Sequence, residues 1–320
     1  MVYNVCKVKS YTATVATDEC TILNMAGKAS LLKIEGADVK KIKEFDVLKN
    51  PSYGAIASDM KVLAYKNTSG KIAVHDTETG ELILKHSAVK CEGWRLYFIQ
   101  QNKRILSSTW DSDIYMIDIS KGEIIKKSRI GEGEFFGASI LPGKTEDDYF
   151  VYCTQRNDHW NTRIVSSTIF KLSVNVNGFD YEPICNIPVC NTSTPAKFHN
   201  SLLFSSDSNT HSKLYMFDTV SDTLHEYMDI QQVCTFFNGA MSNELQRVTY
   251  IHGTTDGKYL IVVCNWETVL IIEVSCKICI KKLEHKYISN VLLFNRERYL
   301  WIGTWEKTYI YDFLELVDGV

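Results

Sequence analysis

The stretch "IGTWEKTYIYD", residues 302–312, places a tryptophan and an acid, Trp305 and Glu306, between two apolar runs of strand character. Nearly the same text occurs twice more, as "SSTWDSDIYMID" at 107–118 and "VCNWETVLIIE" at 263–273. A motif that returns at distant points of one chain is the mark of a repeat architecture, and the period decides which one. Apolar runs ending in a polar residue serve as a ruler: "SLLK", "IAVHD", "IYMID", "STIFK", "LYMFD", "VLIIE" and "TYIYD". They end at Lys33, Asp76, Asp118, Lys171, Asp218, Glu273 and Asp312. The mean spacing is about 46 residues, in the range of propeller repeats.

Each copy has the same internal order. A short apolar run is followed by a charged turn such as "ASDMK", "QQNKR", "TTDGK" or "FNRER". A second run, a polar turn and the ruler run come next, and a more polar fourth run closes the copy. Four short strands at this spacing, separated by turn residues, describe an all-β repeat, and no sustained helical period interrupts them. A four-stranded sheet of this size does not bury both faces alone. Radial stacking covers each sheet with its neighbours, which explains near-continuous apolar text in the second and third runs. The expectation is a seven-bladed β-propeller forming one domain over residues 1–320. The last copy lacks a clear fourth strand, whereas residues 2–8, "VYNVCKV", form a spare one before the first copy. Residues 2–8 are therefore expected to complete the last blade and close the ring.

The architecture resembles the seven-bladed propellers of the WD40/YVTN-like superfamily, and "TTDGKYLIVV" at 254–263 is similar to the turn-and-strand text of YVTN-type repeats. No copy ends in Trp-Asp at the ruler position and none opens with Gly-His. The structural tetrad of WD40 blades is therefore not carried over, and the resemblance is one of architecture along the whole chain.

Composition narrows the function classes. The chain has 320 residues, 45% of them hydrophobic, with a net charge of −3 and no Lys/Arg block. It lacks the basic patch of a nucleic-acid or anionic-membrane binder. The longest apolar runs, such as "YLIVVC" at 259–264, fall far short of the roughly 20 residues a membrane span needs. The N-terminus reads as a strand and not as a signal peptide. Ten cysteines without a disulfide-like framework suit a reducing, cytoplasmic setting.

If the strands run A to D from the axis outward, the B–C and D–A turns share one face. The B–C turns carry Trp110-Asp111, Trp160, Trp266-Glu267 and Trp305-Glu306, with His159 beside Trp160; Trp94 falls in a D–A loop. Five of the six tryptophans thus converge on one end of the ring, and only Trp301 lies inside a strand. Segments "YGA" (53–55), "FFGA" (135–138) and "FFNGA" (236–240) bring Phe136 and Phe237 toward the channel mouth. Aromatic tips also cap the ends of blades in a purely structural role. An aromatic rim with an acid beside each ring equally suits a partner, because Trp and Tyr dominate binding hot spots and attract cations. The expected role is non-catalytic binding of a protein or peptide carrying cationic groups, with a sugar or other small ligand as a variant.

The enzyme alternative is a lactonase- or hydrolase-like propeller with a site at the same mouth, using Glu134, Asp111, Glu267 and His159. No local motif for nucleophilic, phosphate or metal chemistry supports it, and neither a cofactor nor a metal is expected. The single C-x-x-C, Cys276 and Cys279 with His285 nearby, lacks the second pair that structural zinc requires. "CNIPVC" at 185–190 reads as strand, and His75-Asp76 as a structural pair.

Overall fold

A computed structural model describes residues 4–36, 38–87, 93, 96–109, 113–130, 134–142, 149–156, 167–175, 177–187, 195–205, 212–234 and 248–318. The described strands form seven four-stranded antiparallel sheets, an all-β propeller arrangement. The first sheet runs Thr12–Val15, Thr21–Met25, Ala29–Glu35 and Asp38–Phe45, and the second Pro51–Ile56, Val62–Asn67, Ile72–Asp76 and Leu82–His86. The third comprises Leu96–Ile99, Arg104–Ser108, Asp113–Asp118 and Glu123–Arg129. The fourth comprises Glu134–Pro142, Tyr149–Arg156, Ser167–Asn175 and Gly178–Ile187. Ala196–Phe198, Ser201–Ser205, Lys213–Asp218 and Thr223–Asp229 make the fifth, and Val248–Gly253, Tyr259–Cys264, Thr268–Glu273 and Ile278–Glu284 the sixth. The last sheet takes Ile288–Phe294, Tyr299–Thr304 and Thr308–Asp312, with Asn4–Cys6 paired antiparallel to its third strand.

The burial pattern follows from this stacking. Second strands are covered on both faces: Thr21–Met25, Leu260–Cys264 and Tyr299–Thr304 are buried throughout. Fourth strands such as Asp38–Phe45 are largely exposed and carry Lys40, Lys41 and Lys43, charges that discourage pairing at an open edge. Hydrophobic clusters join consecutive sheets: Leu23 and Met25 with Leu63 and Tyr65, Ile72 and Val74 with Ile105 and Ile117, Met116 with Phe170. The series continues with Ile169 against Phe204, Leu203 against Val262, and Ile261 against Leu300. One cluster joins the last sheet to the first through Leu292, Trp301, Ile22 and Leu32. Each fully buried Leu or Ile contributes roughly 1.5–3 kcal/mol.

The aspartate that ends several of the ruler strands has a physical role. Asp76 accepts the amide of Thr79 at 2.7 Å, Asp118 those of Ser120 and Lys121, and Asp218 those of Val220 and Ser221. Each carboxylate closes the turn into the outer strand, and these hydrogen bonds, led at Asp118 by one from the Ser120 hydroxyl at 2.6 Å, hold Asp76, Asp118 and Asp218 below their ordinary pKa. In the last sheet Asp312 instead accepts the amide of Glu315 at 3.3 Å and caps the short helix Phe313–Asp318. That helix and a second at Ile230–Cys234 are the helices among the described residues of this all-β arrangement. Five and six residues are too few to show a helical period.

Six of the sheets share another detail: the pairing of third and fourth strands shifts register mid-strand, as between Leu31/Leu32, Val74/His75 and Ile271/Ile272. In the last sheet Asn4–Cys6 pairs with Thr308–Ile310 without a shift. Its strand arrives from the other end of the chain and not from a hairpin.

A buried polar network ties residues near the N-terminus to this sheet. Trp301 Nε1 donates to Asn290 Oδ1 at 3.1 Å, and Asn290 Nδ2 donates to the carbonyl and hydroxyl of Ser10, each at 3.0 Å. Ser10 N donates to the Thr304 carbonyl at 3.0 Å, Thr308 Oγ1 to the Val8 carbonyl at 2.7 Å, and Ser289 Oγ to the Ser10 carbonyl. Gly303 is required here, because a Cβ would stand 2.7 Å from the Ser10 Cβ and 2.6 Å from Asn290 Nδ2.

Candidate functional site

Of the residues expected at the aromatic face, Trp266, Glu267, Trp305 and Glu306 lie in B–C turns of the last two sheets, and all four are exposed. Trp94, Trp110, Asp111, His159, Trp160 and Phe237 lie outside the described residues, and Phe136 falls in the strand Glu134–Pro142. Trp301, by contrast, is wholly buried within its strand.

The two described Trp-acid dipeptides are built differently. Glu267 N donates to the Cys264 carbonyl at 3.0 Å, closing a tight turn in the three-residue connection 265–267, with φ 53° at Asn265 and 57° at Trp266. This turn matches the strand twist, but it puts a bulky residue in the left-handed region, where side chains are disfavoured. At the other dipeptide the Thr304 hydroxyl accepts the amides of Glu306 and Lys307 at 3.2 and 3.1 Å and supports a different turn.

The D–A connection before the last sheet runs between these turns. Ile288 N donates to the Trp266 carbonyl at 2.6 Å, and Trp305 N donates to the Tyr287 carbonyl at 3.4 Å. The Tyr287 ring stacks on Trp305 with centroids 5.7 Å apart and planes 13° apart. Tyr11 meets Trp305 edge-on at 6.3 Å. Exposure is 58% for Trp305, 52% for Tyr287, 43% for Trp266 and 39% for Tyr11, so the rings form a surface and not a core. Tyr11 and Tyr287 are members that sequence reading missed.

Behind this surface His285 is pinned by its amide to the Glu267 carbonyl at 2.8 Å and by Nε2 to the Tyr311 hydroxyl at 2.8 Å. Its ring lies 3.9 Å from that of Tyr309, over which Lys307 Nζ also sits at 4.9 Å. Burial, aided by the Lys307 charge, pushes the imidazole down to about 4, and burial pushes Tyr311 up to about 12. His285 is therefore a neutral buttress at neutral pH.

The first strands enclose a channel cavity of about 1040 Å³. Its described lining includes Thr12, Thr14, Tyr53, Tyr250, Trp266 and Leu292. Gly54 leaves no room for a side chain: a Cβ there would meet Met25 Cε at 2.1 Å, Leu23 Cδ2 at 2.8 Å and the Ala64 carbonyl at 3.2 Å.

For chemistry, the described residues hold no group of three or more His, Cys, Asp or Glu placed to bind a metal. Cys276 is exposed near Glu273 whereas Cys279 is buried, so the C-x-x-C does not present two thiols on one surface. His75 is buried with Nδ1 3.1 Å from the Gly80 carbonyl, while Asp76 serves its turn. Of the residues weighed for an enzyme, Asp111 and His159 lie outside the described residues, Glu134 opens a strand, and Glu267 is exposed on its turn. Among the described residues no helix is long and apolar enough to cross a membrane.

Fold and face together define a β-propeller with an exposed aromatic cluster at one end. No protein-family model matches the sequence, and no curated protein matches it. The likeness to WD40/YVTN-like proteins therefore stands on architecture alone.

Proposed function

We propose that the chain is a seven-bladed ring, closed by its N-terminal strand, that acts as a non-catalytic binding platform through the B–C and D–A face. Blade number and closure are supported by the seven sheets, the pairing of Asn4–Cys6 with Thr308–Ile310, and the hydrophobic cluster between last and first sheets. The single observation that carries the binding role is the half-exposed stack of Tyr287 on Trp305, flanked by Tyr11 and backbone-linked to Trp266. Exposed rings already held in place by main-chain bonds lose little freedom on association, which favours affinity. With Glu267 and Glu306 beside them, they suit a protein or peptide presenting Lys or Arg through cation–π contact and charge pairing.

The test offers immobilised wild type and a Trp266→Ala/Trp305→Ala variant the same arrays of Lys/Arg-bearing peptides, acidic peptides and oligosaccharides. Selective capture of basic peptides by the wild type, lost in an equally stable variant, is the expected result. Capture of oligosaccharides alone would assign the face to sugars, and equal capture by both proteins would remove it as the site.

A further inference from the structure

The opposite end of the channel holds a second set of groups, independent of the aromatic face. His252, in the first strand of the sixth sheet, lines the cavity. His252 is partly buried against the channel wall, and its imidazole makes no hydrogen bond to a protein group among the described residues. Burial holds its pKa below the ordinary histidine value, against the opposing pull of the Glu297 carboxylate, so it offers a neutral ring with one acceptor nitrogen.

Glu297 and Glu19 stand at the same mouth, in the A–B turns of the last and first sheets. Glu297 Oε1 accepts both the amide and the hydroxyl of Thr255 at 2.7 Å, and Glu19 Oε2 accepts the amide of Arg296. One oxygen of each carboxylate is thereby fixed in place, and the other has no partner among the described residues. The adjoining walls are aliphatic: Val291, Leu292 and Leu293 of the last sheet and Ile251 of the sixth line the channel. The lining also carries Lys197 on the fifth sheet, while His199 packs against Gly257, where a Cβ would stand 1.8 Å from its Nε2.

We propose that this end of the channel is a binding site for an alkylammonium group, its N–H donors directed at Glu297, Glu19 and His252 and its carbon stem along Val291, Leu292 and Leu293. Three acceptors, Glu297, Glu19 and His252, share this lining against one lysine, Lys197, among the described residues, and a pocket of this size suits a small ligand held by a few placed polar groups. The group would come either from a free amine or from a lysine side chain of a partner.

Isothermal titration with n-butylammonium chloride tests the proposal, with Nα-acetyl-lysine methylamide as a second probe and tetramethylammonium as a cation without donors. Saturable one-to-one binding of butylammonium is expected. Loss of one charge-assisted hydrogen bond in Glu297→Gln should weaken it about tenfold, with the Thr255 contacts retained by the amide oxygen. His252→Ala provides a second variant should Glu297→Gln lower the melting temperature, and it too should weaken binding. Binding of the lysine derivative as well supports a side-chain source; binding of butylammonium alone supports a free amine. Absence of saturable binding, equal affinity in wild type and both variants, or tetramethylammonium binding as tightly would overturn the site.

Discussion

Tyr287 and Trp305 meet twice: their rings stack at 13°, and the Trp305 amide donates to the Tyr287 carbonyl. The ring pair is therefore oriented by main chain as well as by its own contact, although both side chains are more than half exposed. Truncating Trp305 removes an aromatic pair worth about 0.5–1.5 kcal/mol and little buried area. Trp305→Ala should thus lower unfolding free energy by about 1 kcal/mol or less, measured by urea denaturation. Trp301→Ala, four residues earlier and wholly buried, should cost about 3–5 kcal/mol.

Trp266 gives a test of opposite sign. Its φ of 57° is a conformation glycine adopts freely. Trp266→Gly should leave the melting temperature unchanged or raise stability by up to about 1 kcal/mol, while basic-peptide capture falls. A drop of several degrees would show that the ring is a structural cap and not a contact residue.

The join between chain ends makes a third prediction. Ser10 and Asn290 are far apart in sequence yet share a buried hydrogen bond. A double-mutant cycle of Ser10→Ala and Asn290→Ala should give a coupling of at least about 0.5 kcal/mol. Asn290→Ala alone should cost about 1–3 kcal/mol, because it strands the Trp301 indole N–H. Additive effects would argue against the join.

His285 sets a pH dependence. Its folded pKa near 4 lies below the ordinary 6.5, so between these values the unfolded chain binds more protons than the folded one. The stability it contributes is complete above about pH 6.5 and is lost as pH falls through the folded value near 4. His75 and His252, also held low by burial, act in the same direction. Because His285 is only partly buried, its share is on the order of 1 kcal/mol. Melting temperatures from pH 7.5 to 4.5 should fall less steeply in His285→Gln than in wild type.

Much of the fold was legible because its signals are local. Ruler strands end at Asp76, Asp118, Asp218, Glu273 and Asp312 as read from the text, since a strand-ending acid is the residue that closes the next turn. Two ruler strands run on, to Glu35 and Asn175, where Lys33 and Lys171 close no such turn. The site was legible only in part. "NWE" and "TWE" look alike, yet Asn265 tolerates a left-handed turn while the Thr304 hydroxyl builds another. Tyr11 and Tyr287 escaped notice because each is one aromatic in a polar loop, and they meet Trp305 only through contacts across the assembled sheets. His252 and Glu297 were hidden for the same reason: one sits in strand text and the other in a charged turn, and the channel unites them.

The pairing of Asn4–Cys6 with Thr308–Ile310 bears on how the molecule is made. During synthesis the earlier sheets have all their strands once their own segments leave the ribosome. The sheet containing Thr308–Asp312 must wait until that strand has emerged while Asn4–Cys6 is still free to pair. A chain stalled before Thr308 would leave Asn4–Cys6 without its partner strand, so this sheet forms later than sheets built from one contiguous segment.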